Sequence, residues 1–238
     1  MRILILADIH ANWPALEAIR EPFDVCICLG DIVDYGVEPL PCIQWVRQNC
    51  QYVIRGNHDH AVAQNIVATG DAGYRMLARE TRPLMWHQLG AEDKTYLARL
   101  PITLRITLDG FQFYLVHATP RDPLDEFLLD DAAQWERRLQ GEEAQFVCVG
   151  HTHKQFSIEL NGCTLVNPGS VGQPRDGDPR ASYAVIEDGH IQLKRVEYDV
   201  ERTIAALDRA RIAPEAKQLA ELVLRAGGMR DARGNANP

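Results

Sequence analysis

Five short apolar runs in this chain each end in residues that bind metals. RILILA leads into Asp8 and His10, VCICLG into Asp31, YVIRG into Asn57 and His58, FYLV into His117, and FVCVG into His151 and His153. Mixed imidazole and carboxylate donors suit divalent transition metals. A pair of such ions, roughly 3.5–4 Å apart, is a device for hydrolysis, and one carboxylate must bridge them. Asp31 is well placed for that. Asn57 offers a neutral oxygen. His58, with Asp59 beside it, can act as a protonated imidazole that donates to a leaving oxygen. Taken singly, each motif also has a plainer reading: a solvated turn, a helix cap, a structural histidine or a pair of exposed loop histidines. Together, five of the eight histidines occupy the ends of separate strand-like runs. Coincidence at all five runs is a poor account.

The elements that position these residues can be read from pattern. Runs 2–7, 25–29 and 52–55 alternate with helices near 14–20 and 39–49, a parallel β-α-β-α-β arrangement covered on both faces. Ligands then sit beyond the carboxyl ends of the strands. Residues 59–100 break the rhythm with helices near 59–68, 71–88 and 92–99. Strands 102–108 and 111–117 turn at Asp109-Gly110, a hairpin signal. A helix at 130–140 precedes strand 145–149. Strands 155–160 and 163–167 turn at Asn161-Gly162, and strands 181–187 and 190–197 at Asp188-Gly189. Helices 200–210 and 213–226 close the chain. The expected fold class is α/β (α+β): a four-layer αββα sandwich of two packed mixed sheets with helices outside. Residues 1–238 are read as one domain, with a helical cap-like insertion at about 59–100 and a mobile tail at about 227–238.

Composition narrows the function classes. The chain has 238 residues, 46% hydrophobic and 24% charged, as expected of a globular protein. Its net charge of -8 and pI near 5.5 argue against an extended nucleic-acid surface. They leave room for a phosphate substrate, because bound cations would set the local field. No apolar run is long enough to span a membrane. The first run is too short for a signal peptide, so a cytoplasmic protein is expected. The six cysteines form no CxxC pair and read as free thiols. Two groups of arginines stand apart. Arg75, Arg79 and Arg82 have same-face helical spacing and could steer an anion. Arg175 or Arg180, in QPRDGDPR, could bind phosphate.

The ordered series D-x-H, GD, GNHD, H and GHTH resembles the calcineurin-like metallophosphoesterase superfamily. NPGSVG at 167–172 is similar to its bacterial phosphodiesterase branch. The resemblance covers roughly residues 1–59 and 102–197. It implies that Asp8, His10 and His153 hold one ion, that Asn57, His117 and His151 hold a second, and that Asp31 bridges them. It also implies His58 as a catalytic acid that is not a ligand, oriented by Asp59. The related Ser/Thr phosphatases carry an arginine where this chain has Tyr35, and a glutamate where it has Asp59. The missing arginine favours a diester over a phosphomonoester dianion.

The expected function is a dinuclear metal-dependent phosphohydrolase, a phosphodiesterase first of all, with a metal-bridging hydroxide as nucleophile. The alternatives are a phosphomonoesterase or dinucleoside polyphosphate hydrolase and, from another class, a non-catalytic scaffold of the same fold. The expected cofactors are two divalent or transition-metal ions, with manganese, iron, zinc, cobalt and nickel all open. The expected partner is a small phosphoester, nucleotides included. The oligomeric state is open.

Overall fold

The computed structural model describes residues 1–230 and 236–237. The first half alternates β1 (Arg2–Leu6), α1 (Trp13–Ala18), β2 (Val25–Cys28), α2 (Pro39–Asn49) and β3 (Tyr52–Val53). Three helices follow: α3 (Asn57–Ala63), α4 (Gly73–Gln88) and α5 (Ala91–Arg99). The second half runs β4 (Thr103–Leu108), β5 (Phe111–Val116), α6 (Ala132–Arg138), β6 (Phe146–Cys148), β7 (Gln155–Leu160) and β8 (Cys163–Pro168). It continues through β9 (Ala181–Glu187), β10 (His190–Val196), α7 (Val200–Arg209), α8 (Pro214–Ala226), β11 (Met229–Arg230) and β12 (Ala236–Asn237).

Two mixed sheets of five strands result. One has the order β10-β9-β1-β2-β3 and the other β4-β5-β6-β8-β7; β11 and β12 pair separately. β1, β2 and β3 run parallel, as do β5, β6 and β8. The hairpins add antiparallel edges. Asp109-Gly110 and Asp188-Gly189 turn with both residues in left-handed backbone, the geometry that matches strand twist in a two-residue loop.

The period-two alternation of β1 explains the layers. Ile3 and Ile5 meet Phe113, Leu115, Phe146 and Val166 of the other sheet. Leu4 and Leu6 turn the other way, toward Ala15, Leu16, Cys42, Ile43 and Val46 of α1 and α2. Both faces of this strand are buried, so its sequence is apolar throughout. On the outer face of the second sheet, Tyr114, Val116, Val147 and Leu165 pack under Trp135 and Leu139. The layers are therefore helix, sheet, sheet, helix, as expected. A fourth cluster joins α4, α7 and α8 through Tyr74, Leu77, Leu207, Ala216 and Val223.

Several boundaries shift from the sequence reading, α3 ending at Ala63 where 68 was expected, and two of the shifts bear on the site. Helix α3 starts at Asn57 rather than 59, because Gly56 serves as its cap and the Asp59 carboxylate folds back to accept the Gly56 N–H at 3.1 Å. The expected mobile tail begins at residue 227, yet its first residues are tied down. Gly227 accepts from the Gly177 N–H at 2.9 Å, and the Met229 N–H donates to the Tyr74 hydroxyl at 3.1 Å. Residues 231–235 and 238 lie outside the described residues.

Candidate metal centre and catalytic cleft

All seven sequence-assigned donors come together at one rim of the two sheets. Each leaves a parallel strand at its carboxyl end, and backbone bonds stitch the exits to one another. The Asp8 N–H donates to Gly30 at 3.0 Å, the His10 N–H to Asp31 at 2.9 Å, and the Gly150 N–H to His117 at 2.8 Å. The exits after β2 and β3 touch backbone to backbone. A Cβ at Gly30 would strike Gly56, and one at Gly56 would strike the Asp31 carboxylate. Side chains must be absent there for the two loops to meet.

One donor atom each from Asp8, His10, Asp31 and His153 lies within 4.8 Å of the others. Asp31, His117 and His151 form a second such group, so Asp31 is common to both. Asn57 Oδ1 lies 3.2 Å from His117 Nε2 and so borders the second group. His58 is in neither group.

Three imidazoles are locked by backbone carbonyls. His10 Nδ1 lies 3.1 Å from Val33 O, His117 Nδ1 2.7 Å from Leu29 O, and His153 Nδ1 2.6 Å from Gln173 O. A carbonyl only accepts, so Nδ1 carries the proton and Nε2 is left to face inward as a donor of electrons. His10 and His153 then aim Nε2 at each other, 3.1 Å apart. Two facing lone pairs repel unless a cation lies against both. The buried oxygens Asp8 Oδ1 and Asp31 Oδ2 have no hydrogen-bond partner. Buried polar atoms are otherwise nearly always partnered. The donor chemistry and these orphaned oxygens fit metal ions.

The protonation states agree. Burial lowers His10 and His151 to about 3 and holds His153 well below its usual range, so these rings are neutral. Burial also raises Asp8, to about 7, against the pull of the His117 charge and with the push of Asp31. For Asp31, burial is outweighed by the charges of His117 and His58, and its pKa is held well below normal. For His117, burial is outweighed by Asp31, which lifts the ring to about 10. The His117 proton thus balances the carboxylates, and a metal ion would displace it.

Much of the rim is strained. Asp8, His10, Asp31, His151 and His153 all have φ between 49 and 64°, as does Tyr35, while Asp34 stands at 75°. Such left-handed residues cost roughly 1–2 kcal/mol each outside glycine, and such strain gathers at functional sites.

His58 corrects one expectation. Asp59 does not orient it. His58 and Asp59 are consecutive in the first turn of α3, where neighbours point about 100° apart and do not face each other. The Asp59 carboxylate instead accepts the N–H groups of Asp31 and Ile32, each at 2.8 Å, of Gly56 at 3.1 Å and of Val33 at 3.3 Å. It fixes the loop that carries Asp31. The partner of His58 is Asp34, whose Oδ2 lies 2.8 Å from Nδ1. Asp34 is fully buried and also accepts from Thr81 at 2.9 Å and from Arg82 Nε at 2.8 Å. Burial would raise Asp34, but the bond to His58 and the Arg82 charge keep it below its normal value. The sequence shows Asp34 inside GDIVDYG but gives no sign of which carboxylate reaches the ring.

The expected arginine cluster on α4 also divides. Arg82 turns inward to Asp34, and Arg79 pairs with Asp71 and Glu80. Arg75 faces the cleft and, among the described residues, has no ion pair. The cleft, of about 720 Å³, opens over the rim between Tyr74, Arg75 and Ala78 of α4 on one side and Asp125, Phe127 and His151 on the other. Arg180 is exposed and bound to Asp178, whereas Arg175 lines the cleft.

No helix among the described residues is long and apolar enough to cross a membrane. Residues 1–189 match the model of the calcineurin-like phosphoesterase superfamily domain. An uncharacterised protein of Methanocaldococcus jannaschii is 30% identical, over 88% of this chain and 93% of its own length. The crystal structure of a metallophosphoesterase from Sphaerobacter thermophilus is similar with a TM-score of 0.78 at 33% identity, covering 95% of this chain and 99% of that one. A hypothetical protein from Pyrococcus horikoshii has the same fold, with a TM-score of 0.81 at 24% identity over 95% of this chain and 98% of that one. With its strand-end donors on the rim of a two-sheet sandwich, the chain belongs to the calcineurin-like phosphoesterase superfamily, a family of metal-dependent phosphoester hydrolases.

Proposed function

We propose that the protein is a phosphodiesterase with a dinuclear metal centre. The observation that carries this reading is the pair of donor groups sharing Asp31, with His58 held beside them by Asp34. Asp8, His10 and His153 would hold one ion, Asn57, His117 and His151 the other, and Asp31 both. When bound, the ions polarise phosphoryl oxygens and make water more acidic. His58 gives a proton to the departing alkoxide as the phosphorus–oxygen ester bond breaks and water supplies the new oxygen on phosphorus. Asp34 keeps the ring turned. Asp59 keeps the Asp31 loop in place.

Two features favour a diester. Tyr35 packs at a tilt against both His10 and His58, with ring centroids 4.6 and 4.5 Å away, and contributes no cation for a dianion. The cleft also has walls on two sides of the rim, room for two substituents on phosphorus. Helix α4, with Tyr74 and Arg75, would serve as a cap over the ester group.

The test compares metal-stripped and metal-loaded protein on diesters, monoesters and dinucleotides side by side. Loaded protein should cleave bis(4-nitrophenyl) phosphate faster than 4-nitrophenyl phosphate, and stripped protein neither. The reverse preference would make it a monoesterase. Tight metal binding without hydrolysis of any ester would leave a scaffold.

A further inference from the structure

Arg175 is 8% exposed, and its Nε has no hydrogen-bond partner. A buried guanidinium without an anion is costly, because desolvation of the charge is not repaid. Yet no carboxylate among the described residues pairs with it. Among the described residues its guanidinium donates to the neutral Gln173 Oε1, at 3.0 Å from NH2. Of the other arginines near the rim, Arg82 is neutralised by Asp34, Arg180 by Asp178 and Arg195 by Asp176, while Arg75 lines the cleft from α4.

The residue is held in place. Its backbone N–H donates to His153 O at 3.1 Å, which ties it directly to one of the donor residues. Its guanidinium carbon lies over the Tyr74 ring, 3.6 Å from the centroid, and 5.6 Å from the Tyr35 centroid. Tyr35 in turn touches His10 and His58. So a rigid, planar fork stands on the cleft wall, beside the rim, with donors to spare. Cations in the rim would repel it unless an anion lay between them.

We infer that Arg175 binds the non-bridging oxygens of the substrate phosphoryl group, as the counter-charge set opposite the metal centre. The inference rests on the phosphoesterase reading above. The ligand class it names is a phosphoester or the phosphate product, and a single guanidinium suits the single charge of a diester.

Metal-loaded wild type, Arg175→Gln and Arg175→Lys are compared by calorimetric titration with inorganic phosphate and by KM for bis(4-nitrophenyl) phosphate. Metal content and melting temperature are measured in parallel. Arg175→Gln should keep its metals and weaken phosphate binding roughly 10- to 100-fold, the worth of a charge-assisted hydrogen bond. Arg175→Lys keeps the charge and the stem but loses the fork, and should fall between. It also decides the matter should the glutamine variant fail to fold. Unchanged phosphate affinity in Arg175→Lys and Arg175→Gln, with only a lower melting temperature, overturns the inference and leaves a structural stacking role. A wild type that cleaves no phosphoester overturns the underlying reading instead.

Discussion

Arg82 and His58 meet on the same atom. Arg82 NH2 lies 2.7 Å and His58 Nδ1 2.8 Å from Asp34 Oδ2. One residue comes from the helix that lines the cleft, the other from the rim that carries the candidate metal donors. The fully buried carboxylate between them makes the helix and the acid a single unit. Removing the guanidinium leaves Asp34 Oδ2 with His58 alone and takes away the full positive charge beside the carboxylate, though Thr81 still donates to Oδ1. Arg82→Gln should therefore lower stability by about 3 kcal/mol, the scale for breaking a buried pair. Chemical denaturation with an unchanged slope measures it. An unaltered midpoint would show that His58 and Thr81 suffice for Asp34.

His58 is assigned chemistry without ligation. His58→Ala should keep the wild-type metal content while turnover falls by roughly 10²–10⁴, the range for a lost general acid. The loss should shrink for nitrophenyl esters, whose leaving groups need little protonation. Loss of metal on this substitution would make His58 a ligand.

Metal stoichiometry tests the shared carboxylate. Elemental analysis after gentle purification should give two transition-metal ions per chain. Asp31→Asn should lose more metal than Asp8→Asn, since Asp31 belongs to both donor groups and Asp8 to one. Equal losses would mean that the two groups do not share a bridge.

Asp34 and Asp59 should separate by phenotype. Asp59→Asn turns an amide N–H₂ toward two of the four backbone donors while its oxygen keeps the other two, and each unsatisfied group costs about 1–3 kcal/mol. Its melting temperature should fall sharply. Asp34→Asn keeps one oxygen, which can serve Thr81 or the pair Arg82 and His58 but not all three, and has no charge for His58, so turnover should fall beyond what the loss of stability explains. The opposite pattern would restore Asp59 as the partner of the ring.

Acid stability has a source away from the rim. Glu126 precedes Phe127 on the cleft wall and contacts Arg138 at 2.7 Å and Arg121 at 2.6 Å. The Arg138 hydrogen bond lowers its pKa from 4.5 to about 2, against a smaller opposing effect of burial and with help from Thr119 and the Arg121 charge. A folded-state pKa below the unfolded value gives stability that is complete above pH 4.5 and is lost as pH falls toward 2. Glu126→Gln should melt lower than wild type at neutral pH, and the gap should close over that window. Parallel curves for the two proteins would place the acid sensitivity elsewhere.

The rim was legible in the sequence because an apolar run that stops at Asp or His marks both a buried strand and its exit. Strand parity then carried the sandwich: Ile3 and Ile5 to one face, Leu4 and Leu6 to the other. What failed was adjacency. Asp59 follows His58 in the chain but faces another way on a helix, and α3 begins earlier than its apolar pattern. Helical spacing grouped Arg75, Arg79 and Arg82, but each then found its own surroundings. Partner choice across long separations, such as Asp34 with Arg82, is written in packing and not in any local pattern.

The left-handed backbone of the rim also acts on mutation. At Asp8, His10, Asp31, His151 and His153, branched and bulky side chains meet their own carbonyls, while Gly, Asn, Asp and His enter such conformations most readily. Three of those four residue types can coordinate a cation. Random replacement here is thus filtered by shape before it is filtered by chemistry, and what passes is enriched in ligands. A lineage drifting at these positions would retune its metal preference more easily than lose metal altogether.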